Sequence, residues 1–190
     1  MIPFSRILSA SAKRKLISHL KHGGLVAYPT ESCYGIGCLP VHSRALNQLV
    51  HVKKRPQHKG MIVIGADLSQ LQSLLEKPSE AVKLMLESEW PAPKTFLLNV
   101  DKRVLPVLRG KGRNKLAVRV PEHHLARNLC TILGMPLVST SCNRAGKRPC
   151  KTEREVRRQF GREVWIVGGH IGRQKQPSQI IDAETGRRLR

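Results

Sequence analysis

The chain has 190 residues, with 34 Lys and Arg against 13 Asp and Glu, for a formal net charge of +21. Hydrophobic residues at 40% exclude a basic disordered tail, which would lack the apolar surface needed to offset chain entropy. The length suits one domain, residues 1–190, that buries its core without disulfide or metal staples. No run approaches the roughly 18 apolar residues of a membrane span. Met1 to Leu8 lacks a signal-peptide pattern, so the expected location is cytoplasmic.

The elements alternate along the chain. Ser11 to His22 has Leu16, Ile17 and Leu20 at helical spacing behind a serine cap candidate, and Gly23-Gly24 stops it. Leu25 to Tyr28 reads as a buried strand that exits through Pro29 and Thr30. Ser43 to Lys53 is predicted helical, with Ser43 as the cap candidate. A strand is expected within Gly60 to Gly65, then helical segments over Leu68 to Leu75 and Ser79 to Glu89. Lys94 to Val100 and Lys115 to Val120 suit strands, and Glu122 to Leu133 suits a helix closed by Gly134. Pro136 to Thr140, Glu163 to Val167 and Ser178 to Asp182 are the remaining strands, with a charged helix over Thr152 to Phe160. This mixed order predicts an α/β domain with a mixed sheet.

Five cysteines, Cys33, Cys38, Cys130, Cys142 and Cys150, form no CxxC pair, which argues for reduced thiols over a disulfide framework or a zinc ribbon. Cys33, Cys38 and His42 offer three metal ligands without a fourth, and buried thiols suit that apolar stretch better. Aromatic content of 4% is low for a protein that reads single strands by base stacking. There is no GxxxxGK[ST] loop, no GxGxxG after a strand, no GxSxG elbow and no HExxH.

What stands out is polar or basic clusters where apolar strands end. These are Tyr28-Pro29-Thr30-Glu31, Lys53-Lys54-Arg55-Pro56 with Lys59, Arg119 before Pro121, Ser139-Thr140-Ser141-Cys142-Asn143, and Pro177-Ser178. Ligands of open α/β sheets collect at strand ends, so the clusters are candidates for one composite site. Lys53, Arg55 and Lys59 could spread phosphate charge, or could be a solvated helix end whose cations complement the dipole. Ser139, Ser141 and Asn143 alternate and would share a side on an extended backbone; a turn or cap role is the plainer alternative.

Taken in order, Ala27-Tyr-Pro-Thr-Glu-Ser-Cys-Tyr-Gly-Ile-Gly37, Lys53-Lys-Arg55-Pro with Lys59-Gly, Trp90-Pro-Ala-Pro-Lys-Thr-Phe96, Ala117-Val-Arg-Val-Pro121, Ser139-Thr-Ser-Cys-Asn143 and Pro177-Ser-Gln-Ile-Ile-Asp182 resemble the YrdC-like family of threonylcarbamoyl-AMP synthases. The resemblance runs from Ser11 to Arg190, and the length resembles the family's single-domain bacterial form. It implies a twisted mixed open sheet flanked by helices, with a basic concave cleft. It implies a nucleotidyltransferase that condenses L-threonine, bicarbonate or CO2, and ATP with Mg2+ into threonylcarbamoyl-adenylate and pyrophosphate. The product would serve the N6-threonylcarbamoyladenosine modification at position 37 of tRNA, through other transfer proteins.

By the same resemblance Lys53 and Arg55 are catalytic, and Lys53, Arg55, Lys59, Ser141, Asn143 and Arg190 hold ATP. Thr30, Arg119, Ser139 and Ser178 hold threonine, and no protein-bound metal is expected. Two departures are Cys142 between the signature Ser and Asn, and an additional cation at Lys94. The alternative function, motivated by the +21 charge, is a non-catalytic module that binds tRNA or double-stranded RNA.

Overall fold

The computed structural model describes residues 9–56 and 59–190. In chain order these form α1 (Ala10–Lys21), β1 (Leu25–Pro29), β2 (Tyr34–Gly37), α2 (Ser43–Lys53) and β3 (Ile62–Ile64). Then come α3 (Leu68–Leu71), which tightens into a 3-10 turn over Gln72–Leu74, α4 (Glu80–Glu89), β4 (Lys94–Asn99) and α5 (Pro106–Arg109). The chain finishes with β5 (Lys115–Arg119), α6 (His124–Leu133), β6 (Leu137–Ser141), α7 (Glu153–Phe160), β7 (Val164–Ile166) and β8 (Gln179–Asp182).

Most helix ends obey local chemistry visible in the sequence. Ser79 Oγ accepts from Val82 N–H, Thr152 and Glu155 form a reciprocal capping box, and Gly134 closes α6 in the left-handed region at φ 66°. Two caps differ from expectation. Ser9, not Ser11, receives the Ala12 N–H of α1 at 3.2 Å. The His42 ring, not Ser43, caps α2 by accepting from Ala45 N–H at 3.2 Å. α6 also starts later than expected, because Glu122 and His123 give their amides to a buried carboxylate before the helix begins.

Two elements were not predicted, β2 and α5. Tyr34-Gly-Ile-Gly37 lacks strand composition because half of it is glycine. Those glycines are there for proximity: a methyl group on Gly37 would lie 1.6 Å from the carbonyl oxygen of Val138 on β6. A residue with a side chain could not bring β2 that close.

The eight strands form one sheet in the order β7-β1-β2-β6-β3-β5-β4-β8, with parallel and antiparallel neighbours mixed. One face buries Leu25, Ala27, Ile36, Val63, Phe96, Val118 and Val138 under α2, α4 and α7, through Leu46, Leu49, Leu86, Val156 and Phe160. On the other face Val26, Tyr28, Ile64 and Leu137 meet Leu16 and Leu20 of α1 and Ala126, Leu129 and Leu133 of α6.

That second face changes character across its width, and register shows how. Paired residues share a face, and alternate residues along a strand do too. Arg119 pairs Ile64, Ser139 pairs Ile62, and Phe96 pairs the opposite-facing Val118. Arg119, Ser139, Thr95 and Tyr28 therefore lie on the α1/α6 side. Where β5, β4 and β8 run, that side adds the polar side chains of Arg119, Thr95, Lys115 and Asp182 among Ala117, Leu97 and Ile180, with Lys115 and Asp182 joined at 2.8 Å. The polar part of this face carries candidate site residues.

Candidate functional site

Arg119 ends β5 and is 7% exposed; Glu31 follows β1 and is 6% exposed. Glu31 Oε2 accepts from Arg119 Nη2 at 2.8 Å, while Oε1 accepts from Glu122 N–H at 3.0 Å and His123 N–H at 3.4 Å. Arg119 Nε is buried and has no hydrogen-bond partner. Leaving such a donor unmade costs about 1–3 kcal/mol, so the Arg119 guanidinium keeps hydrogen-bonding capacity that the protein itself does not use.

Hydroxyls accompany this guanidinium. Thr30 Oγ1 donates to the Cys33 carbonyl at 2.7 Å, which leaves its lone pairs open to a ligand donor. A methyl group on Gly35 would meet Ser139 Oγ at 3.1 Å, Thr30 Cγ2 at 3.2 Å and the Tyr28 ring at 3.3 Å, so the bare glycine marks where Thr30 and Ser139 converge. Ser178 Oγ lies 2.9 Å from Thr95 Oγ1. Arg190 Nε and Nη2 donate to the Ser178 carbonyl at 3.1 and 2.9 Å, and its backbone pairs with Ile180. Through Ser178, whose hydroxyl meets Thr95 on the Arg119 side of the sheet, Arg190 sits with the Arg119 group, and burial first, then the positive charge of Arg119, lowers its pKa.

A second cluster lies where α2 ends. Lys53 is 3% exposed and donates to the carbonyls of Ser141 and, at 2.7 Å, Asn143. The solvated-helix-end reading of this lysine is thereby excluded. Burial first, then the charge of Arg55, lowers its pKa to about 8. Arg55 is held by the Gly60 carbonyl at 2.6 Å and by Thr140 Oγ1 at 3.4 Å, and desolvation lowers its pKa also.

Ser141 Oγ donates to Asn143 Oδ1 at 2.8 Å, so the two signature residues meet. The strand has ended by then: Asn143 N–H turns back to the Ser141 carbonyl at 2.9 Å, and the alternation continues only through Ser139 and Ser141. Lys59 is exposed beside this cluster, and its carbonyl accepts from Arg55 Nε at 3.4 Å.

The expected residues thus fall into two groups, Thr30, Arg119, Ser139, Ser178 and Arg190 in one, Lys53, Arg55, Ser141 and Asn143 in the other, with the exposed Lys59 joined to the second through its carbonyl. Sequence reasoning left Glu31 and Thr95 without a role. The available signal was a lone carboxylate inside an apolar stretch of an acid-poor chain, and a threonine facing away from Phe96. Lys94 is paired with Glu89, which accounts for the additional cation. A hydrogen bond to Cys150 first, then burial, raises the pKa of Cys142 far above neutrality, which makes it a poor nucleophile. Among the described residues no three His, Cys, Asp or Glu side chains converge to hold a metal ion.

Two clusters of cations and hydroxyls, joined by one strand of a mixed sheet, give this α/β fold a set of donors of the kind that suits small anionic ligands. The Sua5/YciO/YrdC family model, described as telomere recombination, matches residues 18–190. The chain is 74% identical over 187 residues to a Neisseria gonorrhoeae protein named threonylcarbamoyl-AMP synthase, covering 98% of this chain and 99% of that one. Its fold superposes on P. abyssi Sua5 complexed with L-threonine at a TM-score of 0.82 and 30% identity, over 92% of this chain and 51% of that one. E. coli YciO is similar at 0.76 and 26% identity, over 92% and 84%. The chain spans about half the length of Sua5 and belongs to the Sua5/YciO/YrdC family.

Proposed function

We propose that this chain is an adenylate-forming enzyme, a threonylcarbamoyl-AMP synthase, that joins L-threonine, bicarbonate or CO2, and ATP. The observation that carries the reading is the role of β6 as a shared wall. Ser139 faces the Arg119 group, and Ser141, two residues on, belongs to the Lys53 group. Two residues of strand span about 7 Å, which would set an amino acid beside the phosphates of a nucleotide.

In this reading Arg119 pairs with the threonine carboxylate, and Thr30, Ser139 and Ser178 take its remaining polar groups. A site that hydrogen-bonds the side-chain hydroxyl rejects analogues lacking it. The threonine amine and bicarbonate give N-carboxythreonine and water. A carboxylate oxygen of that carbamate then bonds to the α-phosphorus, the bond to the bridging oxygen breaks, and pyrophosphate leaves. Lys53, Arg55 and Lys59 stabilise the charge that builds on the phosphates, and Ser141 and Asn143 hold the nucleotide; Arg190, expected with them, lies at Ser178 on the amino-acid side and would meet the nucleotide from there. No enzyme-bound covalent intermediate is required, so catalysis is positioning and electrostatics. Mg2+ would ride on the ATP phosphates, because what surrounds Lys53 is N–H donors of Lys53 and Arg55 that suit an incoming anion, while the nearby carbonyls are already taken by Lys53.

The test is pyrophosphate release from ATP with and without L-threonine and bicarbonate. Release that needs both is the expected result; threonine-independent release would sink the reading. The adenylate is labile and would pass to proteins that transfer it to tRNA in the cytoplasm.

Direct tRNA or double-stranded RNA binding is the second reading, and one observation favours it. Lys147, Arg148, Lys151, Arg154, Arg157, Arg158 and Arg162 are all exposed around α7, and among the described residues the ion pair in this stretch, Arg144–Glu163, leaves all seven free. Affinity for tRNA is expected to fall steeply between low and moderate salt through counterion release. Salt-insensitive binding would contradict it.

A further inference from the structure

We infer that Glu31 is the positioning residue of the amino-acid site: it fixes the Arg119 guanidinium so that its free N–H groups face the carboxylate of the substrate. This rests on the proposed function. A carboxylate as buried as Glu31 is costly unless both oxygens are satisfied. Here they are divided. One oxygen takes Arg119 Nη2 and the other takes two amides at the start of α6, where the helix dipole also favours a negative charge.

The backbone of Glu31 is held as well. Gln174 N–H donates to its carbonyl at 3.2 Å, Gly172 N–H donates to the Thr30 carbonyl at 2.9 Å, and a methyl group on Gly172 would lie 2.7 Å from the Glu31 carbonyl oxygen. Glu31 is therefore anchored at its main chain and at both carboxylate oxygens. An anchored acceptor on Nη2 sets the plane and rotation of a guanidinium, which can then receive a second carboxylate without losing its own orientation.

Charge points the same way. Glu31 offsets the charge of Arg119, and Arg190 adds a second cation where it holds the Ser178 carbonyl. A monoanionic amino-acid carboxylate balances the other. Without Glu31 the site would keep its cations but lose both their aim and their balance.

The experiment compares wild type with Glu31→Gln, which keeps the shape and one acceptor oxygen for α6 while removing the charge that faces Arg119. The KM for L-threonine is expected to rise at least about tenfold in the folded variant with the KM for ATP nearly unchanged, while the melting temperature falls because the buried Arg119 loses its counter-charge. The preference for L-threonine over L-threoninamide, read by calorimetry without ATP, should narrow. A purely structural residue would weaken both ligands alike.

In a double-mutant cycle, Glu31→Gln combined with Arg119→Lys should use threonine no worse than Arg119→Lys alone, because Glu31 acts through Arg119. If Glu31→Gln does not fold, Glu31→Asp, one methylene shorter, replaces it in both comparisons. A wild-type threonine KM in the folded variant, or losses that add fully in the cycle, overturns the inference. Wild type that binds no L-threonine overturns the functional reading and this inference with it.

Discussion

The Lys53→Ala, Arg55→Ala double variant is expected to lose about a thousandfold or more in threonine-dependent pyrophosphate release, the scale set by removing preorganised donors from a developing anion. Both side chains are held before substrate arrives, Lys53 on the Ser141 and Asn143 carbonyls and Arg55 on Gly60 and Thr140. Lys53 keeps one of its three N–H donors for a ligand. Its loss would also release the loop that carries Ser141 and Asn143, so the nucleotide and the phosphate charge suffer together. Full activity in a variant with a normal melting profile would remove both residues from the mechanism.

Lys53 gives the prediction a pH signature. Its folded pKa is lowered to about 8 from 10.5, so above pH 8 it loses the charge that attracts phosphate. The KM for ATP should therefore rise with pH from there, by at most about tenfold per pH unit for a single proton. Stability should move the other way. Between pH 8 and 10.5 the unfolded chain holds this proton more tightly than the folded one, so the contribution of Lys53 to stability improves as pH rises through that window. In Lys53→Gln both trends should vanish. A wild-type KM for ATP that is flat from pH 7 to 9.5 would show that the Lys53 charge does not act on the nucleotide.

Much of this site was legible because it is written in strand ends. Thr30, Arg119 and Ser178 each sit next to a residue that closes or opens an apolar run, where the period-two pattern stops and polar chemistry begins. What stayed hidden depends on contacts distant in sequence. Lys53 looked equally like a solvated helix end, and what holds it buried is the end of β6, 88 residues away, and the loop that follows. Glu31 meets Arg119 across the same separation of 88 residues, which no local pattern encodes. β2 escaped because its glycines answer to the backbone of β6 and not to strand propensity. The cap of α2 escaped because a histidine ring does what serine does more often.

Arg119→Lys is expected to raise the KM for L-threonine by about 10- to 100-fold, the equivalent of one charged hydrogen bond, with the KM for ATP within about threefold. Lysine keeps the positive charge near Glu31, so the fold should survive. It cannot keep the geometry, since an ammonium is a point charge and the proposed role asks one group to hold Glu31 and a second carboxylate at fixed angles. Arg119→Ala should behave differently, because it strands the Glu31 carboxylate in a buried position with two amides and no cation. Breaking a buried pair in this way costs about 3–5 kcal/mol, so this variant should melt well below Arg119→Lys. Thermal denaturation and steady-state kinetics on the two variants separate the roles. Equal melting temperatures would show that the pair does not support the fold, and an ATP-only defect in Arg119→Lys would remove Arg119 from the amino-acid site.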